Sequence, residues 1–267
     1  MERAALGTRH GKLPAIAPQL EPLGIEVVPV ELDTDRFGTF SGTIPRTGTQ
    51  LETATAKARA SAAAAGLELG LASEGAFGPD PVIGLVAVGI ELVVLHDPRR
   101  RRVVVGRDAT HDTNYAHATV RDLAEARTFI ARAGRNGHGH GLLAHADDHV
   151  IELQDEEDDV RRLLLDHPLL RLETDMRAHR NPTRMRAIER AAHDLARNLR
   201  QPCPSCERTG VADLEPRAGL PCECCRRPTG RVAWIDARCS WCEAPFTLPP
   251  RHGLEFANPG ECAGCNP

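Results

Sequence analysis

Four Cys-x-x-Cys pairs crowd one end of the chain: Cys203 with Cys206, Cys222 with Cys225, Cys239 with Cys242, and Cys262 with Cys265. Two intervening residues let both sulfurs of a pair turn toward one metal position. Two such knuckles complete a closed tetrahedral site of four thiolates, the structural type of zinc site. Eight ligands therefore predict two structural zinc ions. Fifteen residues separate Cys206 from Cys222 and nineteen separate Cys242 from Cys262, both within the usual ribbon spacing. Only thirteen lie between Cys225 and Cys239. The spacing favours sequential sites, 203/206 with 222/225 and 239/242 with 262/265. A crossed arrangement, 203/206 with 239/242, is the alternative. Cys224 reads as a neighbour of these ligands, or as a ligand if the register shifts.

Three polar stretches hold more chemistry than chain folding requires. Asp33 and Asp35, in DTDRFGTFSG, are two carboxylates with glycines that let the backbone bend toward a hard cation such as magnesium. A turn with Asx hydrogen bonds is the competing reading. Glu74, in SEGAFGPD after an apolar run, is placed to bind a metal or act as a general base. Ligands of open α/β sheets gather at such strand ends. The stretch from Glu173 to Arg184 holds Asp175, Arg177, His179, Arg180 and Arg184 in front of a helix start, where free backbone N–H groups attract anions. His138, His140, His145 and His149 invite a metal reading, but their spacing fits no firm template and the glycines beside them suggest a loop.

The elements that position these groups alternate between strand and helix. GIEVVPVE (24–31) and Leu67–Ala72 read as strands, and 84–96 with 101–107 as a hairpin split by Asp97-Pro98. Residues 51–65 read as a helix ended by Gly66, and 121–132 and 156–166 as two more. Asn181-Pro182 opens a long helix, Asn as N-cap and Pro in the first turn. Met185, Ile188, Ala192, Leu195 and Leu199 give it one apolar face. Gln201-Pro202 ends it. The expectation is an α/β domain over 1–201, a mixed sheet with flanking helices, followed by a small zinc-ribbon-type domain over 202–267.

Composition narrows the function classes. The chain has 267 residues, 41% hydrophobic, with a formal net charge of −4. From residue 201 on, seven arginines face eight acids, and each four-thiolate zinc site adds two negative charges. That balance argues against nucleic-acid binding, because phosphates need clustered cations. Residues 1–20 lack the apolar core of a secretion signal, and no run approaches the roughly 20 apolar residues that span a bilayer. Nine cysteines without an export signal point to a reducing, cytoplasmic setting and away from a membrane.

Two resemblances add to this. The strings His10-Gly11-Lys12, Asp33-Thr34-Asp35 with Phe37-Gly38-Thr39-Phe40, Ala72-Ser73-Glu74-Gly75 with Phe77-Gly78-Pro79, ETDMRA (173–178) with NPTRM (181–185), and Cys262-x-x-Cys265-Asn266-Pro267 resemble a bacterial family of unknown function, domain-of-unknown-function family 6671. That resemblance implies no activity. More distantly, the order of features is similar to the inosine/xanthosine triphosphate pyrophosphatases. The carrying residues are Thr8 to Lys12, Arg46-Thr47-Gly48-Thr49 running to Glu52 and Lys57-Ala58, Ser73-Glu74-Gly75, and Ala178-His179-Arg180. Glu replaces the commoner Asp at 74, and Ala replaces Ser at 178. This likeness implies the pyrophosphatase fold and a magnesium-dependent nucleoside triphosphate phosphohydrolase. Asp33, Asp35, Glu52 or Glu74 would hold the cation. Glu74, with Asp35, Asp175 and His179, would form the catalytic set. Lys12, Arg46 and Lys57 would neutralise phosphates, joined by Arg177, Arg180 and Arg184. The alternative is a non-catalytic protein that binds a nucleotide, another anion or a protein partner and docks through its zinc module.

Overall fold

A computed structural model describes residues 1–34, 37–38, 48–80, 84–100, 102–133 and 139–266. The chain forms two compact units: Met1–Asp97 with Val105–Ala196, and Pro98–Val104 with Arg197–Pro267.

In the first unit, strand β1 (Glu2–Gly7) lies parallel to β2 (Ile25–Val30) and, on its other side, to β3 (Leu69–Pro79). Helices α1 (Leu13–Leu20) and α2 (Gln50–Ala65) occupy the connections. β4 (Ala87–Asp97) returns antiparallel along β3, and β5 (Arg102–Thr110) gives the mixed order β2-β1-β3-β4-β5. Ala4, Ala5 and Leu6 of β1 are all fully buried, as expected of a central strand covered on both faces.

Helix α2 starts with a capping box: Thr49 accepts from the Glu52 backbone N–H, and the Glu52 carboxylate accepts from the Thr49 N–H. Its buried face is Ala54, Ala58 and Ala62. Such small residues let it press onto β3, where a Cβ added to Gly70 would lie 1.9 Å from the Ala58 carbonyl oxygen. Alanine here is contact geometry, and glycine at 70 is its counterpart on the sheet.

A second sheet, all antiparallel, has the order β6-β9-β7-β8: β6 (His117–Val120), β9 (Leu170–Thr174), β7 (Leu142–Ala146) and β8 (His149–Glu152). Helices α3 (Leu123–Ala133) and α4 (Glu156–Asp166) bury Phe129 and Val160 with Leu142, Leu153, Leu170 and Leu172 of this layer. Asp155 caps α4 by accepting from the Asp158 N–H. Helix α5 (Pro182–Arg200) opens as the Asn-Pro pair predicts: the Asn181 side-chain oxygen accepts from the Arg184 N–H at 2.9 Å. Its Ile188, Ala191, Ala192 and Leu195 are buried, and it crosses close over Gly106 of β5, where a Cβ would lie 2.1 Å from the Ala191 carbonyl.

One expectation changes. Ser73–Pro79 is strand, not a loop after a strand: β3 pairs with β4 without a break from Gly70 opposite His96 to Pro79 opposite Ala87. Gly75 serves a close approach between side chains. β1, α1 and β6 to β8 carried no strong sequence signal. None of the described helices is long and apolar enough to cross a membrane.

The second unit has a three-stranded antiparallel sheet: β10 (Val211–Ala218), β11 (Val232–Cys239) and β12 (Pro245–Leu248). Its buried aliphatics are few, chiefly Val104, Leu199, Val211, Leu220 and Ile235, and the cysteines Cys203, Cys222, Cys239 and Cys262 are buried as well.

Candidate functional site

Each Cys-x-x-Cys pair closes a knuckle with a backbone bond from the residue after the second cysteine to the first cysteine's carbonyl: Glu207 to Cys203, Arg226 to Cys222, Glu243 to Cys239 and Asn266 to Cys262. Glu207, Arg226 and Glu243 take φ near +60°, an uncommon conformation for residues other than glycine. In the first and third knuckles a backbone N–H also points at sulfur, Ser205 to Cys203 and Trp241 to Cys239, both at 3.3 Å.

The knuckles combine in the crossed way. Cys203, Cys206, Cys239 and Cys242 form one set and Cys222, Cys225, Cys262 and Cys265 the other, all four sulfurs of each within 4.8 Å of one another. Sulfur–sulfur distances of 3.7, 3.7, 3.9 and 3.5 Å match the ~3.8 Å edge of a tetrahedron with metal–sulfur bonds of about 2.3 Å. Each set can hold one metal ion. The sequential pairing that spacing favoured is therefore wrong, and the sheet supplies the reason. β10 and β11 pair with Val211 opposite Cys239, and the Ser240 N–H bonds the Gly210 carbonyl, so the third knuckle lies beside the first. The second knuckle is tied to the C-terminal segment by a bridge from Cys222 to Ala257, with Glu223 N–H to the Ala257 carbonyl and Ala257 N–H to the Pro221 carbonyl. Strand pairing, not loop length, chooses the partners. Cys224 is exposed and outside both sets.

The α/β unit gathers a different site. The Lys57 amine contacts the Glu74 carboxylate at 2.6 Å, both nearly buried. Gln50, at the start of α2, donates to the carbonyls of Glu74 and Ile90 and so ties the helix to β3 and β4. Arg184 and Glu91 form a second pair, Nε to Oε1 at 2.6 Å, with both side chains fully buried. The Arg184 guanidinium also donates to the Met176 carbonyl and lies 5.3 Å from the Phe77 ring centre. A Cβ on Gly75 would meet Glu91 Oε1 at 2.5 Å and Arg184 Nη2 at 2.7 Å, which is why this strand position is glycine.

Lys12, in the loop after β1, joins the same cluster. Burial pushes its pKa down to about 7, helped by Arg184 and Lys57, while Glu91 and Glu74 act in the opposite direction. His10 stacks on His179, ring centres 4.9 Å apart and 16° from parallel. Burial, then Lys12 and His179, lowers His10 to about 4, so its ring is neutral at pH 7. His179 is also lowered, by burial and then by Arg177.

The loop from Asp175 to Asn181 is charge-balanced. Asp175, fully buried, grips Arg177 through both its carboxylate oxygens, and Glu152 of β8 contacts Arg177 and Arg180. The carboxylates hold Arg177 more firmly protonated, and Arg177 in turn lowers Glu152. Asn181 reaches Asn114 and the Asp175 carbonyl.

The sequence candidates thus divide. Lys12, Lys57, Glu74 and Arg184 converge, with Asp175, Arg177, His179 and Arg180 in the adjoining loop. Asp33 is exposed against Arg9, and Glu52 engages Thr49 in the helix cap. Asp35, Arg46 and His138 lie outside the described residues. Among the described residues no group of acids is gathered as a magnesium site; the two cysteine sets are the only gathered metal-type clusters. His140 meets Thr183 and His145 meets Glu173, each by itself. Glu91, Glu152 and His10 were not assigned roles from sequence. Glu91 left one signal, a lone carboxylate in the apolar strand GIELVVL.

The sequence profile described as a domain of unknown function (DUF6671) matches residues 57–267. The chain belongs to that family. The match takes in α2 from Lys57 onward, strands β3 to β5 of the first sheet, the whole second sheet and the whole cysteine segment, while β1, β2 and the Lys12 loop precede it. Neither curated proteins nor solved structures give a match.

Proposed function

We propose that the protein is a zinc-stabilised anion-binding protein. The α/β unit takes a phosphate-bearing small molecule, a nucleotide in the first instance, at Lys12, Lys57 and Arg184, and the cysteine unit holds two structural zinc ions. The observation that carries the anion reading is Lys12. Lys12 is half-buried beside two cations whose carboxylate partners, Glu74 and Glu91, are already engaged. A phosphate there would add the negative charge that the lysine lacks, and burial strengthens such contacts. The loop stands at the carboxyl end of a parallel strand, the usual ligand position of open α/β sheets. The likeness in feature order to the nucleoside triphosphate pyrophosphatases supports a nucleotide as the anion. Closed four-thiolate sets support zinc.

Isothermal titration with inorganic pyrophosphate and with a panel of nucleoside triphosphates tests this. The expected result is saturable binding that weakens at least tenfold in Lys12→Met. Absence of binding, or equal affinity in the variant, overturns it.

Hydrolysis is a second reading, favoured by the buried Glu74 carboxylate at the edge of the cluster, a position from which it could orient water. Magnesium, or manganese in its place, would then come with the nucleotide. Turnover that falls at least a hundredfold in Glu74→Gln supports it; binding without turnover removes it and leaves the anion reading standing.

A further inference from the structure

The two cysteine sets differ in what stands beside their sulfurs. The residue just before the second cysteine of each knuckle is, in chain order, Ser205, Cys224, Trp241 and Gly264. In the first set this position supplies backbone support: the N–H groups of Ser205 and Trp241 point at the sulfurs of Cys203 and Cys239, both at 3.3 Å. Hydrogen bonds to a ligand atom fix its direction and hold it to its ion. In the second set the place of Ser205 is taken by a further thiol.

Cys224 is exposed, and its thiol lies within hydrogen-bond reach of Cys265, which is exposed as well. Cys265 is in turn 3.9 Å from Cys222, and Cys225 is 3.5 Å from the buried Cys262, sulfur to sulfur. Five thiols thus stand where a tetrahedral ion uses four. Zinc imposes no geometry through its d electrons and can expand to five ligands. A thiol next to a ligand can therefore bind before that ligand leaves. At the same point of the first set Ser205 offers a hydroxyl, a weaker match for an ion held by thiolates.

We propose, building on the zinc reading of both sets, that Cys224 is an entering ligand which makes the second set an exchange site. Its ion passes to a thiolate acceptor in solution, while the first set keeps its own. In the step, the Cys224 sulfur bonds the ion and the bond from the ion to the Cys265 sulfur breaks. The Cys224 proton moves to the freed Cys265 thiolate across their contact. Four zinc–sulfur bonds and the formal charge of the site are the same before and after, and nothing is oxidised or reduced. The ion is then held on the exposed side by Cys224, where an acceptor thiolate can displace the protein ligands one at a time.

The test mixes the zinc-loaded full chain with excess isotopically enriched zinc carried by reduced glutathione, and native mass spectrometry counts old and new ions over time. One ion should exchange fast and the other slowly. Cys203→Ser with Cys242→Ser, which leaves the second set intact, should show the fast phase alone. Cys224→Ser should slow the fast phase about tenfold or more and leave the slow phase as it was. A static measurement, competition with a chelator, gives a second reading. Cys265→Ser should weaken the second ion far less than Cys222→Ser does, because Cys224 takes the vacant place. Adding Cys224→Ser to Cys265→Ser should then weaken it a further ~10–100-fold. A single phase for both ions, a fast phase unchanged in Cys224→Ser, or Cys265→Ser as damaging as Cys222→Ser overturns the proposal and leaves the zinc reading standing. Loss of the second ion in Cys224→Ser alone overturns it too, since Cys224 would then be a resident ligand. A chain that holds no zinc overturns both.

Discussion

The α/β unit and the cysteine unit both hold charged groups at close quarters, but by different means. In the first, apolar layers carry the fold and buried charges are matched one against another: Lys57 with Glu74, Arg184 with Glu91, Asp175 with Arg177. In the second, few aliphatic side chains are buried, and eight thiols are brought within van der Waals reach of their own kind. Thiolates at such distances repel one another, so only a cation at the centre of each set makes the arrangement stable. One unit has a fold that tolerates charge; the other has charge that needs a fold. The contrast suggests where each should fail.

The largest effect should come from metal removal. Structural zinc supplies on the order of 10 kcal/mol per site, so chelation should unfold the cysteine unit while the far-ultraviolet signal of the α/β helices persists. Metal analysis should give two ions per chain. Cys203→Ser with Cys242→Ser should retain one ion, whereas Cys203→Ser with Cys225→Ser should retain none; sequential pairing reverses these two results.

Next is the buried pair. Arg184→Met leaves the Glu91 carboxylate fully buried without its cation, and urea denaturation should show a loss of about 3–5 kcal/mol. Arg184→Met with Glu91→Leu should recover most of it, because two apolar groups replace two charges. If the double variant is no better than the single, the pair does more than balance charge. A smaller loss, about 1–3 kcal/mol by overpacking, is expected for Gly75→Ala, read on the same instrument. No loss there would mean that Arg184 and Glu91 can move apart freely.

The last comparison is the pH dependence of the α/β unit. Lys12 ordinarily keeps its proton to pH 10.5 but in the fold only to about 7. His10 drops from 6.5 to about 4. In both windows the unfolded chain binds more protons than the folded one, so stability of the anion-free protein rises with pH from 4 to 6.5 and again from 7 to 10.5. The melting temperature should climb across each window, by more across the upper one, where the shift is larger. Lys12→Met should flatten the upper rise and His10→Gln the lower. Bound phosphate should flatten the upper rise in the unaltered protein as well, since it favours protonated Lys12.

How much of this was readable in advance follows the same division. Helices with chemical punctuation that the reading used were legible: Gly66 at the end of α2 and Asn181-Pro182 before α5. The strand β1 was not, because Arg3-Ala4-Ala5-Leu6 lacks the β-branched residues that mark a strand, although its burial is complete. Ser73–Pro79 misled because glycine and proline signal turns, and only the Arg184 and Glu91 side chains reveal why glycine is there. The cysteines announced their ligand role through spacing, but partner choice came from β10–β11 pairing, which spacing does not encode. Of the residues named from polar stretches, Glu74 and Arg184 converged and Asp33 did not, while Glu91 stayed hidden inside an apolar strand, 93 positions from its arginine. Glu52 could have been recognised as a cap from the Thr-x-x-Glu string alone.

The interleaving of the two cysteine sets has a consequence for how the chain is made. The ligands of one ion stretch from Cys203 to Cys242, and those of the other from Cys222 to Cys265, so the second loop begins inside the first and the first ends inside the second. During synthesis the first ion can be captured once Cys242 has left the ribosome. Cys222 and Cys225 are by then already exposed, and they wait for Cys262 and Cys265, twenty or more residues later. The growing chain therefore passes through a half-loaded stage with two open thiols, and the Ala257 bridge to Cys222 is the contact that brings the late pair to the early one.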